Sequence, residues 1–290
     1  MTVWFLAALL ASGDDPHAPL RVLRWIPCAR SAARPPVVVV PYLVHLYGWD
    51  ALKTYAGTVH HANVIADVRA YLEWYLARRR GPDRYGLVGT VDDHLLTADG
   101  RVEPLGRYDS ADAYAATFLL LVDGYVTASG DTLWFRRRLG ALREVAYLIA
   151  TLVDPVDGLT RAVPDGAKYL MDNVEAYAGL TLFARRLRAY DPREARYYES
   201  FAQALRRALA RELYDPYTGL YAWAKDQAGL HRPDLRRFYP DAYAQLFPAF
   251  IGLAPARLGR RLPMPASLPC EQQRVVGWWR VGWRWIASAG

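Results

Sequence analysis

Cysteine is nearly missing from this chain. Cys28 and Cys270 belong to no C-x-x-C pair and to no cysteine/histidine spacing, so the sequence offers neither a structural zinc site nor a disulfide framework. No motif for a metal or an organic cofactor stands out, and neither is expected. Lysine is scarce too, occurring only as Lys53, Lys168 and Lys225, so the formal net charge of +7 is carried by arginine. The arginines mix with acidic residues along helical segments rather than forming a block. That reads as an ion-paired, solvated surface, and no nucleic-acid partner is expected. No apolar run approaches the roughly 20 residues of a membrane span. The run Val3 to Ala11 has no basic residue ahead of it and reads as a core helix ending at Ser12-Gly13. This places the protein in the cytoplasm, with a cleaved secretory signal as the alternative.

Strand patterns are the next absence. Only "PPVVVVPYLVHLYG" at 35–48 is ambiguous, whereas helical periodicity recurs over about 62–79, 109–128, 131–152, 168–189, 193–213, 239–253 and 271–287. With 53% hydrophobic and 22% charged residues the chain can bury a large core. The fold class is all-α.

What is present is an alternation of short and long connections. "ASGD" (128–131) and "YDPRE" (190–194) are tight turns; 81–107, 153–167 and 214–238 are long loops. Each long loop places a Pro and an Asp just before a Gly-Leu pair, at Gly86-Leu87, Gly158-Leu159 and Gly219-Leu220, roughly 60 to 70 residues apart, the period of a repeated helical hairpin.

The helices alternate in kind as well. Segments 113–122, 174–183 and 242–253 are apolar nearly all round, as buried helices are, while 131–152 and 193–213 keep an arginine/glutamate face. An inner and an outer ring joined in this way describe an (α/α) toroid, with a full or an incomplete ring, spanning 1–290 as one domain. Residues 1–36 would be an N-terminal helix or arm, 37–253 the repeated hairpins, and 254–290 a linker and a closing helix in which Trp279, Trp283 and Ile286 recur on one face. The long loops would gather at one end, with the N-termini of the inner helices, and a cleft is expected there.

Acids collect at that end. Asp109 and Asp112 open the first clear inner helix, Asp172 and Glu175 the second, and Asp241 the third. Asp109 and Asp112 also fit a capping box, and Asp241 after Pro240 fits a first-turn acid. Asp172 and Glu175 share one face inside an apolar segment, where a carboxylate needs a partner or a task; Lys168 is a candidate partner. Tyr85, Tyr108, Tyr114, Tyr169, Tyr177, Tyr221, Trp223, Tyr239 and Tyr243 fall on long loops or at inner-helix starts, where ring faces stack on sugars and polar tips hydrogen-bond them.

The stretch "DSADAYAATFLLLVDGYVTASGD" (109–131) resembles inner-helix segments of the six-hairpin glycosidases, and its D-x-x-D-x-x-x-A core is similar to the signature of glycoside hydrolase family 8 with its opening residues in a different order. The wider pattern over about 37–253, including "YLMDNVEAYAGL" and "FYPDAYAQLFP", is similar to carbohydrate-active members of that superfamily. The resemblance implies an (α/α) toroid, a carbohydrate ligand and hydrolysis with inversion.

The expectation is paired-carboxylate catalysis by Asp112, Asp172, Glu175 and Asp241, with Glu175 or Asp172 as the acid and Asp241 or Asp112 as the base. Asp109, Tyr108, Tyr114, Lys168, Asn173, Trp223, Lys225, Asp226 and Tyr239 would position the sugar. A sugar epimerase or lyase using His94 or His231, with Arg84, Arg107, Arg161 and Arg232 at the rim, is the runner-up; a non-catalytic sugar-binding toroid follows, and terpene cyclisation through "VDDH" (91–94) comes last. The chain is expected to be a monomer or small homo-oligomer without a membrane partner.

Overall fold

The computed structural model describes residues 15–253, 265 and 267–280. The apolar run Val3 to Ala11, the linker 254–264, and Trp283 and Ile286 of the expected closing helix lie outside the described residues. Among these, no helix is long and apolar enough to cross a membrane. The chain divides into two compact units, one from residues up to 109 together with 117–145, the other from 110–116 and residues from 146 onward.

The first unit contains α1 (Ala18–Leu23), a 3₁₀ turn (Pro27–Ala33), β1 (Val37–Val39), α2 (Pro41–Thr54), α3 (His61–Ala77), β2 (His94–Leu96) and β3 (Val102–Pro104). It also takes most of α4 (Ala111–Ser129) and α5 (Thr132–Thr151). The ambiguous stretch at 35–48 resolves into two elements. The β-branched run Val37–Val39 pairs antiparallel with β2, which pairs with β3. Pro41 then opens α2, its fixed φ and missing amide suiting a first helical position.

Helices α2 and α4 approach closely because glycine stands on each. A Cβ at Gly48 would lie 3.0 Å from a Leu121 methyl, and one at Gly124 would lie 3.0 Å from the Trp49 ring. Below them His45 is fully buried against Tyr71, Tyr75 and Phe118, and its Nδ1 shares a 2.9 Å hydrogen bond with Thr117 Oγ1. Burial drives its pKa far down, so the ring stays neutral.

The second unit takes the first turns of α4 and the end of α5, then β4 (Lys168–Tyr169), α6 (Leu170–Leu187) and α7 (Pro192–Ala208). A wide turn (Leu209–Leu213) leads to β5 (Tyr214–Asp215), β6 (Leu220–Tyr221), β7 (Ala224–Asp226) and β8 (Gly229–His231). A second wide turn (Phe238–Ala242), α8 (Phe247–Phe250) and α9 (Cys270–Arg280) complete it. The "YDPRE" turn works as its residues suggest: Asp191 accepts from the Arg193 and Glu194 amides, and Pro192 takes the first helical position of α7. At Gly179 of α6 a Cβ would stand 2.7 Å from the Ala116 carbonyl oxygen, so no larger residue fits there without a shift.

The inner and outer characters read from the sequence are present. The α4 residues 111–122 are all buried, as are 172–180 in α6, while α5 and α7 alternate between buried and exposed positions. The helix expected over 239–253 is instead the wide turn and the single turn of α8. Tyr239 is extended (φ −112°, ψ 134°), and Pro240 and Pro248 each remove an amide donor.

The loop repeat is a repeated turn. Asp83, Asp154 and Asp215 each accept, through the side chain, the amide two residues on, at 2.8, 2.9 and 2.9 Å. The glycine of the Gly-Leu pair then takes a positive φ, +78° at Gly158 and +72° at Gly219, which a Cβ would oppose. The loops also carry small antiparallel sheets, β4-β7-β8 and β5-β6, that a search for strand-length patterns does not find. Neither Cys28 nor Cys270 is a free thiol, a state that two cysteines without a spacing pattern do not signal.

Candidate active site

Four acids singled out from the sequence, Asp112, Asp172, Glu175 and Asp241, all belong to the second unit, and all are buried. Helix α4 starts at Ala111, with the Ser110 carbonyl accepting the Tyr114 amide at 3.1 Å. Ser110 therefore sits at the cap, and its side chain turns inward: Oγ is 2.7 Å from Asp112 Oδ1 and 2.5 Å from Asp172 Oδ2. Asp112 Oδ1 also accepts the Ala113 amide at 2.9 Å. Burial pushes the Asp112 carboxyl above the usual carboxylate range, against these hydrogen bonds.

Asp172 and Glu175 lie one turn apart on α6. Asp172 keeps 9% of its surface exposed, while Asp112, Glu175 and Asp241 keep none. Glu175 acts electrostatically on the buried Tyr243 phenol, which burial, with help from Glu271 and Glu175, drives well above its ordinary pKa. Asp241 Oδ1 accepts the Asp234 amide at 2.7 Å and Arg237 at 3.1 Å; its buried Oδ2 takes no hydrogen bond.

Asn173 ties the 153–167 loop to α6. Its side chain accepts the Thr160 amide at 2.7 Å and donates to the Thr160 and Tyr169 carbonyls at 3.1 and 2.8 Å. Three residues before Asp172, Tyr169 stacks on Trp223 with centroids 6.4 Å apart and planes 10° apart, and His231 packs on Trp223 at 4.8 Å. Tyr169, Trp223 and His231 are half-buried, Tyr239 is 56% exposed, and Tyr114 is buried.

The two lysines do something else. Lys168 Nζ donates to Asp154 Oδ2 at 2.5 Å and to Asp157 Oδ2 at 2.6 Å. Lys225 Nζ bridges Asp157 and Glu212 at 2.8 and 2.9 Å, and Arg161 reaches Asp154 at 2.6 Å. These are closed ion pairs. Lys168, the largest influence, holds the Asp154 carboxyl far below the usual range, and burial at Asp157 is outweighed by donors from Lys168 and Lys225. A cavity of about 170 Å³ opens beside them, lined by Arg161, Lys168, Lys225 and Asp226. Asp226 pairs with His231 at 2.7 Å across the β7-β8 hairpin, and this hydrogen bond lowers its pKa.

Tyr108 and Asp109 belong to the first unit: Tyr108 is buried and donates to Asp83, and Asp109 is exposed. His94, also in that unit, is buried against Trp74, and burial lowers its pKa to about 4. A cavity of about 680 Å³ on α3 and the end of α4 has charges that pair among themselves, Asp131 taking Tyr125 at 3.0 Å and Arg69 at 3.7 Å. Among the described residues no group of histidine, cysteine and carboxylate side chains is set to hold a metal ion.

The residue that sequence reasoning passed over is Ser110. Its signal was available: a small hydroxyl between two acids at the start of an apolar helix.

No family model matches the chain, and no curated protein does. Among solved structures, a rhamnosidase from Klebsiella oxytoca with rhamnose bound is similar over 90% of this chain, at 14% identity and a TM-score of 0.58. Cellobiose 2-epimerase from Spirochaeta thermophila DSM 6192 aligns over 65% of this chain at 18% identity and a TM-score of 0.44. The chain spans about half the length of these structures, 46% and 45%. At such identity the likeness to the rhamnosidase speaks to fold. In fold, the chain is all-α and similar to that rhamnosidase structure.

Proposed function

We propose that this chain is a carbohydrate-active enzyme that hydrolyses glycosidic bonds by paired-carboxylate catalysis. The observation that carries the reading is the meeting of two buried carboxylates from separate segments of one unit, Asp112 and Asp172, over the Ser110 hydroxyl, with Asp172 keeping 9% of its surface exposed. Burying four acids is costly, and a site that uses them accounts for the expense.

Asp172 is the general acid. It protonates the glycosidic oxygen as the bond to the anomeric carbon breaks. Asp241 is the base: Oδ2 has lone pairs without a donor, and it takes a proton from the water that attacks the opposite face of the sugar. Inversion requires the two carboxyls to stand about 6.5–9.5 Å apart. Glu175, one turn below Asp172, shapes the field between them. Tyr169, Trp223 and Tyr239 offer ring faces to the sugar, and Asn173 fixes the loop that borders it. The fold shared with a rhamnosidase adds support for a sugar ligand.

One observation favours a second reading, sugar epimerisation. His231 is oriented by Asp226 and lies against Trp223, an arrangement fit to move a proton next to a sugar carbonyl.

The test is to incubate the chain with a panel of oligosaccharides and follow the anomeric protons of the first product by NMR. Hydrolysis with inversion is expected. Isomerised sugar without bond cleavage, abolished by H231A and kept by D241N, would replace the hydrolase with the epimerase.

A further inference from the structure

Ser110 raises a problem of proton counting. Its Oγ lies 2.7 Å from Asp112 Oδ1 and 2.5 Å from Asp172 Oδ2, both lengths of charge-assisted O–H···O bonds. A hydroxyl has one proton to give, and an ionised carboxylate has none. Were both aspartates ionised, one of these contacts would press oxygen lone pairs together in a buried place where the repulsion is poorly screened. A second proton is therefore required, and a carboxyl must carry it.

We propose that Ser110 is a positioning residue that holds one proton in common between Asp112 and Asp172, so that one of these two carboxyls stays protonated where ordinary aspartates are ionised. The proposal rests on the hydrolase reading only for its use: the shared proton is the one the general acid donates.

Asp112 is fully buried, and the environment disfavours its charge. Asp172 is the exposed edge of the pair, so the proton can leave only on that side. Of the charged groups on the 153–168 stretch, Asp154, Asp157, Arg161 and Lys168 bind one another, and Arg237 binds Asp241. Glu175 follows Asp172 by one turn on α6 and acts electrostatically on the Tyr243 phenol. Thr160, held by Asn173, brings a hydroxyl to the Asp112 side. The pair behaves as one titrating unit. When Asp172 gives its proton to the leaving oxygen, Ser110 is left with one hydrogen between two carboxylates. The renewed repulsion draws a proton back from water and resets the acid.

The test needs no sugar. In the full chain carrying ¹³Cγ-labelled aspartate, the Asp112 and Asp172 signals, assigned with D112N and D172N, are followed by NMR across pH. Expected is a joint two-step titration, with its upper step at least one pH unit above the remaining aspartates. S110A should split it into two independent single steps, and S110T should restore it. If S110A does not fold, D172N serves, since Asp112 must then titrate in one step. Ionisation of both carboxyls together with the ordinary aspartates, or a joint titration unchanged in S110A, would overturn the proposal. Should the titration behave as expected while no sugar is cleaved, the hydrolase reading fails and the proton sharing stands.

Discussion

Two groups of carboxylates in the same unit are managed in opposite ways. Asp154, Asp157 and Glu212 are matched by Lys168, Lys225 and Arg161, each at hydrogen-bond distance. Asp112 and Asp172 meet over a hydroxyl, and Asp241 accepts Arg237 at one oxygen and leaves the other without a donor. The first group spends its charges on closing loops. Its carboxyls are pushed down in pKa and fixed as anions. In the second, burial works on Asp112 in the other direction, toward a carboxyl that can hold and release a proton near neutrality. Acid residues of one unit are therefore not equivalent: Asp154 and Asp157 are held by lysine and arginine, while Asp112 and Asp172 share the Ser110 hydroxyl.

The contrast can be broken where it is strongest. Lys168→Met should leave Asp154 and Asp157 buried with one cation fewer and cost about 3 kcal/mol or more in urea unfolding; a loss under about 1 kcal/mol would make the network ornamental. Acidification probes the same network. Depressed folded-state pKa values mean that these carboxylates add stability above the unfolded value of about 4 and lose it as pH falls toward their native values. The midpoint of thermal unfolding should fall steeply below about pH 4, and less steeply in D154N. Trp223→Ala should raise KM about tenfold while kcat changes little, because it removes a stacking face and no proton donor. The smallest effect is expected at Gly86→Ala, about 1 kcal/mol, from a positive φ of +77° with open space around the new methyl.

Much of this was written in residue pattern. The all-round apolar runs of α4 and α6, the arginine faces of α5 and α7 and the repeated Asp and Gly-Leu turns follow from local rules, because each is decided by neighbours within one turn or loop. The partners of the lysines were not legible. Lys168 meets Asp154 and Asp157 because the intervening loop folds back, and Lys225 meets Asp157 from another strand; nothing in the spacing chooses these carboxylates over Asp172. Helix α2 was hidden for a different reason, since four consecutive valines read as strand until Pro41 redirects the chain. Ser110 was overlooked because its importance depends on Asp172, which arrives from a distant helix.

The most direct test of the account crosses the two groups. Asp172→Asn and Asp157→Asn would each be assayed for unfolding free energy and for oligosaccharide cleavage per folded molecule. D172N should keep its stability and lose cleavage by about 10²- to 10⁴-fold. D157N, which strips Lys168 and Lys225 of a shared partner, should lose stability by about 2 kcal/mol or more and cleave normally once folded. If D172N cleaves like the parent, or if both variants lose stability alone, the buried acids serve the fold and the division between the two groups is wrong.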